Sequence, residues 1–162
     1  MTASAATTDA IVEALLAGWA KGAMEGEAVL IGFLAESVNV THIPAAPGDG
    51  PLPRTFLEKG LAAEWDLLSA ALDDFVLTPT VTKVDEKAIE VTLGVTGKLE
   101  GGEAISFAGT MTLGVDSGQV VTITGGWGDT QESMMRAAMS PRVAAKLAKT
   151  MELVQEMLAG QS

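Results

Sequence analysis

The chain has 162 residues, 48% of them apolar, with 10 basic residues against 21 acidic ones for a net charge of −11. That length and apolar content suffice for one domain with a core, and acidic residues spread along the chain exclude a nucleic-acid partner, which rewards clustered Lys and Arg. Having no Cys removes disulfides, thiolate nucleophiles and thiolate metal sites, and a single His is too few for a His-rich zinc site, so no metal and no cofactor is expected.

The start, Met-Thr-Ala-Ser-Ala-Ala-Thr-Thr, has neither the basic residues nor the apolar run of a signal peptide, and nowhere do about 18 apolar residues run together. A cytoplasmic protein without a membrane partner is the expectation. From Asp9 to Met24, Val12, Leu15, Leu16, Trp19 and Ala23 recur at three- and four-residue spacing. This predicts a helix capped by Thr8 or Asp9, with Trp19 on its buried stripe. Glu25-Gly26-Glu27 interrupts it, and Leu30, Phe33 and Leu34 mark the inner side of a second helix from Glu27 to about Glu36. A short strand follows, in which Val38, Val40 and His42, the one histidine, share the inward face.

Residues 44–53 hold four of the six prolines together with Gly48 and Gly50, which predicts a loop beside His42 with no regular element in it. Thr55-Phe56-Leu57-Glu58 has the spacing of a capping box, and Leu57, Leu61, Trp65, Leu68 and Leu72 stripe a third helix running to about Asp73. From Phe75 to Trp127 the period becomes two. Turn signals at Asp85-Glu86, Gly101-Gly102 and Asp116-Ser117-Gly118 divide this segment into four antiparallel strands. Pro79 cannot donate to a ladder and so places the first of them at an edge or a bulge. One face of the other three is bulky: Ile89, Val91, Leu93 and Val95, then Ile105, Phe107, Met111, Leu113 and Val115, then Val121, Ile123 and Trp127. The other face is mostly small, and between Ala104 and Gly128, where Asp116 is the one charged residue, it shows Ala104, Ser106, Ala108, Thr110, Thr112, Thr122 and Thr124, which predicts a homodimer through the sheet. After Asp129, read as a helix cap, the chain returns to helix, restarts at Ser140-Pro141 and reaches about Ala159. Met135, Met139, Val143, Leu147, Met151, Val154 and Leu158 form one stripe, expected to pack on the domain or on a partner subunit.

The order helix, helix, short strand, helix, four antiparallel strands resembles the nuclear transport factor 2 superfamily, with its SnoaL-like polyketide cyclases, ketosteroid isomerases and limonene epoxide hydrolases. Glu25-Gly26-Glu27, Leu34-Ala35-Glu36-Ser37-Val38 and Gly126-Trp127-Gly128-Asp129 carry the resemblance, which covers residues 9–129. It implies an α+β fold in one domain over residues 1–162: a cone of three N-terminal helices in a curved antiparallel sheet, its pocket at the open end, with residues 130–160 as a helical extension. The resemblance also sets His42 where the isomerases have an aspartate base, Trp19 where they have an oxyanion-hole tyrosine, and Met111 near their protonated aspartate. The hydrolases' Arg and Asp fall at Gly125 and Gly126. Neither chemistry carries over as such.

Two function classes follow. The first is a pocket for a small apolar molecule, lined by Trp19, Phe33, His42, Trp65, Phe107, Met111, Ile123 and Trp127. The second is a lyase, isomerase or cyclase acting on an apolar carbonyl compound with His42 as general base. The binding reading is favoured, since the sequence shows no second polar group inside the cone to stabilise an oxyanion. The acidic residues read as solvated surface.

Overall fold

Glycines decide how the first two helices meet in the computed structural model, which describes residues 7–160. Helix α1 (Thr8–Lys21) is capped by Thr7, whose hydroxyl accepts the Ala10 N–H at 3.2 Å, so the cap precedes Thr8 and Asp9 by a residue or two. The chain breaks at Gly22 (φ 152°), a backbone conformation open to glycine, and not at Glu25-Gly26-Glu27. Helix α2 is therefore Ala23–Phe33, earlier than the sequence pattern implied. Gly26 lies inside α2 at its contact with α1, where an added Cβ would overlap the Trp19 indole.

Strand β1 (Leu34–His42) leads into the Pro/Gly stretch, which does contain a regular element: β2 (Gly50–Pro53) pairs antiparallel with β1. Only four residues long and at the sheet's edge, β2 can accommodate Pro51 and Pro53, which a central strand could not. Helix α3 (Arg54–Ala71) starts after Pro53 without any side-chain cap, so the Thr55/Glu58 capping box is not formed. Four antiparallel strands follow: β3 (Asp73–Val84), β4 (Ala88–Lys98), β5 (Ala104–Asp116) and β6 (Gln119–Gly126). The sheet order is β2-β1-β6-β5-β4-β3, with β1 parallel to β6 and every other neighbour antiparallel. Pro79 is thus on an edge strand, as its missing N–H requires. The mixed sheet is curved and unclosed, and with the helices it makes an α+β cone.

Ile11, Leu15 and Trp19 of α1, Leu30 of α2, and Trp65 and Leu68 of α3 pack with Ile89, Val91, Phe107 and Leu113 in one core. Each fully buried aliphatic side chain contributes roughly 1.5–3 kcal/mol. A register shift between Gly114 and Val115 sends Val120 to the core in place of the expected Val121. The C-terminal stripe is not one packed face either. Helix α4 (Gln131–Ala138) is separated from α5 (Ala144–Gly160) by a 3-10 turn at Pro141–Val143. Val143 is buried, whereas Met135, Met139, Met151, Val154 and Leu158 are exposed. Asp129 sits within another 3-10 turn (Gly128–Thr130) and caps nothing; Thr130 ties that turn to β5, its hydroxyl bonded to both the N–H and the C=O of Ala108. Among the described residues no helix is long and apolar enough to cross a membrane.

Replacing Gly26 by Ala should destabilise the fold by about 1–3 kcal/mol through overpacking against Trp19. Gly32→Ala, on the same helix but facing open space, should instead stabilise it by roughly 0.5–1 kcal/mol. Urea denaturation midpoints of the two variants test the contrast.

Candidate functional site

His42 is fixed by the end of the sheet. It pairs with Gly125 across β1 and β6, and the next residue, Ile43, donates its N–H to the Gly125 carbonyl at 2.9 Å. Gly126 permits this approach, since a Cβ there would strike the Ile43 carbonyl. The strand alternation does place His42 with Val38 and Val40, but at the strand's last residue the core has ended, and the side chain is 54% exposed rather than buried among Val and Trp.

The Pro/Gly loop then returns a carboxylate to the ring. Asp49 Oδ1 lies 2.5 Å from His42 Nδ1, while Oδ2 accepts the backbone N–H groups of His42 at 3.0 Å and Ala46 at 3.1 Å. Partial burial would raise the Asp49 carboxyl, but these bonds to its charged form outweigh that and hold its pKa below the ordinary value. An ionised carboxylate only accepts, so the neutral imidazole carries its proton on Nδ1 and its lone pair on Nε2.

A second carboxyl group is buried deeper. Glu27, on the inner side of α2, is 4% exposed; its Oε1 accepts the Trp65 indole N–H, and Oε2 has no partner among the described residues. Burial raises its pKa to about 8, against the opposing pull of the Trp65 bond, with the nearby Glu64 charge adding to the rise. Glu27 is thus protonated at neutral pH and can donate a hydrogen bond. Glu64, one residue before Trp65 on α3, is also raised by burial, opposed by His42 and the Trp127 indole.

His42, Glu27 and Glu64 share a cavity of about 140 Å³, lined also by Trp65, Met111 and Trp127 among others, with Asp49 outside its walls. Trp65 and Phe107 both meet Trp127 edge to face, at 6.3 and 5.3 Å between ring centres, which stiffens its aromatic wall. A second space of about 350 Å³ adjoins it. Of the residues singled out from the sequence, His42, Trp65, Met111, Ile123 and Trp127 line the cavity. Trp19, Phe33 and Phe107 do not: Trp19 is buried between α1 and α2 with no partner for its Nε1, Phe107 lies behind Trp127, and Phe33 packs on the core. The residues that sequence reasoning missed are Asp49, Glu27 and Glu64. The two glutamates carried a readable signal, because Glu27 precedes Leu30 by three residues and Glu64 stands between Leu61 and Leu68, each on an apolar stripe.

No family model matches the sequence, and no curated protein matches it. Solved structures do. An NTF2-like protein from Burkholderia thailandensis superposes with a TM-score of 0.58 at 16% identity, over 84% of this chain and 99% of that one. The chain has the nuclear transport factor 2-like fold. A SnoaL-like polyketide cyclase from Agrobacterium tumefaciens superposes at 0.54 with 13% identity, over 81% and 97% of the two chains. A protein with a ketosteroid isomerase-like fold from Catenulispora acidiphila, in complex with trimethylamine, does so at 0.51 with 14% identity, over 84% and 97%. In this NTF2-like cone the polar groups come from α2, α3 and the end of β1, with Asp49 of the following loop bonded to His42, while the last strand contributes glycines that let β1 close against it.

A carboxyl whose folded pKa lies above its unfolded value stabilises the fold at low pH and loses that contribution as pH rises. For Glu27 stability should therefore fall between about pH 4.5 and about pH 8. Glu27→Gln, which keeps an acceptor for Trp65, should flatten that part of the profile, as read by thermal melts across the range.

Proposed function

We propose that the protein is a small acid–base enzyme, a lyase, isomerase or cyclase acting on an apolar carbonyl compound. The observation that carries this reading is the His42–Asp49 pair on the rim of a cavity that also holds a protonated Glu27. Asp49 keeps the imidazole in the tautomer with its lone pair on Nε2, ready to take a proton from the carbon beside the carbonyl. As that C–H bond breaks, negative charge moves to the carbonyl oxygen. Glu27, neutral and with one oxygen unpartnered, donates a hydrogen bond to it and offsets the charge. The aromatic wall of Trp65 and Trp127 orients the substrate and keeps water away. Glu27 and Glu64 supply the polar partners whose absence from the sequence reading had favoured simple binding.

The test is exchange of the acidic C–H for deuterium from solvent, followed by NMR over a panel of apolar ketones. His42→Ala should slow exchange by about 10²–10⁴-fold, and Asp49→Asn should slow it while leaving ligand affinity unchanged. Saturable quenching of tryptophan fluorescence by the panel, with no exchange catalysed by the wild-type chain, would decide for a binding module instead.

We also propose that two copies associate through the outer face of the sheet. Thr80, Thr92 and Thr110 stand side by side across β3, β4 and β5, and Thr112, Thr124 and Thr41 across β5, β6 and β1. These rows are uncharged, although the second continues from Thr112 to Glu90 and Lys83, and a dimer on them would cover roughly 800 Å² per subunit. Light scattering at micromolar concentration should give twice the chain mass; the mass of one chain would refute it.

A further inference from the structure

The two spaces inside the cone differ in chemistry. The inner one has rigid aromatic walls and the carboxyl groups, and its volume of about 140 Å³ is close to that of a cavity that holds a single benzene ring, about 150 Å³. The outer one, about 350 Å³, lies between α3 and the last two helices, with Met134 of α4 and Leu153, Val154 and Met157 of α5 among its walls. The two adjoin, for Val40, His42, Leu61, Glu64, Met111 and Ile123 line both. His42 and Glu64 therefore stand at the waist between the two lobes, which a ligand occupying both would have to cross.

Beyond that waist the outer lobe presents one polar side chain, Thr150, whose hydroxyl already donates to the Lys146 carbonyl at 3.0 Å. It offers a ligand shape and apolar surface but no directed bond. On the side of α4 and α5 its walls include the flexible side chains of Met134, Leu153 and Met157, which adapt to a mobile occupant, while Leu52, Phe56 and Leu57 line it as well. Helix α5 itself has no buried residue and is tied to α3 by the Lys146–Asp66 ion pair at 2.7 Å, an exposed contact worth little. Leu147 and Met157 also pack half-buried on the core, so α5 is seated by partly buried side chains alone, and such a wall can shift to admit occupants of different length.

We infer that the outer lobe is a subsite for an unbranched alkyl tail, that Leu153 and Met157 set the length it accepts, and that the substrate is a long-chain alkyl ketone with its carbonyl end in the inner lobe. This rests on the acid–base reading for the position of the carbonyl, not for the subsite itself. The −11 charge of the chain favours a neutral head over a fatty carboxylate.

The experiment uses the full chain and a series of 2-alkanones from butanone to tetradecanone, with affinity read from tryptophan fluorescence. Once the chain is long enough to cross the waist, affinity should tighten about fourfold per added methylene and level off when the outer lobe is full. Leu153→Trp and Met157→Trp, which fill the lobe, should weaken long ketones more than tenfold and leave butanone unchanged. Leu153→Ala, which cannot overpack, should move the plateau to longer chains, and near-UV circular dichroism establishes that each variant is folded. Affinity that does not change with chain length, or a plateau at the same length in wild type and Leu153→Ala, overturns the inference, as does equal weakening of short and long ketones in the Trp variants. A plateau at C6 or shorter overturns it too, since the tail would then stop at the waist. The wild-type chain separates the two proposals: a chain-length profile in a protein that catalyses no exchange leaves the subsite standing and removes the enzyme, whereas exchange with a flat profile does the reverse.

Discussion

A carboxyl group can be buried beneath an apolar sheet only where something donates to it or where it gives up its charge, and Glu27 does both. The Trp65 indole N–H meets one oxygen, and burial keeps a proton on the group at neutral pH. That contact joins α2 to α3, so it fixes the distance between the two helices that floor the cavity. It also turns Trp65 edge-on to Trp127 and Phe75. The inner lobe owes the placement of Glu27 and the Trp65 side of its aromatic wall to this bond.

At the rim the opposite regime holds. His42 and Asp49 are paired where water reaches the ring, and the pair is positioned by backbone: the β1–β6 ladder on one side and two N–H groups bound to the Asp49 carboxylate on the other. One cavity thus spans two electrostatic settings, a dry end that keeps a carboxylic acid neutral and a wet end that keeps a carboxylate ionised. Two groups of the same chemical type are held in different protonation states by environment alone.

Periodicity made the helices, the four-stranded meander and the edge position of Pro79 legible, because burial repeats along the chain with the period of each element. The helix ends and the inward residue of β6 were not legible. Gly22 and the shift at Gly114/Val115 act through backbone conformation, and hydrophobic pattern does not register it. His42 stood out as the one imidazole, and the loop after it was foreseen. Asp49 was not, since among four prolines and two glycines nothing local distinguishes a turn-forming aspartate from one that folds back seven residues to a ring. Glu27 and Glu64 were passed over because charge was equated with surface, although their spacing to Leu30, Leu61 and Leu68 set them on buried stripes.

The parallel pairing of β1 with β6 joins residues 40 and 123, whereas β3, β4, β5 and β6 are each joined to the next by a short turn. Loops that short close at little entropic cost, while the β1–β6 closure must wait for the meander it docks on. Since His42 is the last residue of β1, the site depends on the longest-range pairing of the sheet. An intermediate with most of its sheet and helices would look nearly native by backbone spectroscopy and still lack its imidazole on the rim. Site chemistry is thus a stricter measure of completed folding in this protein than secondary structure is.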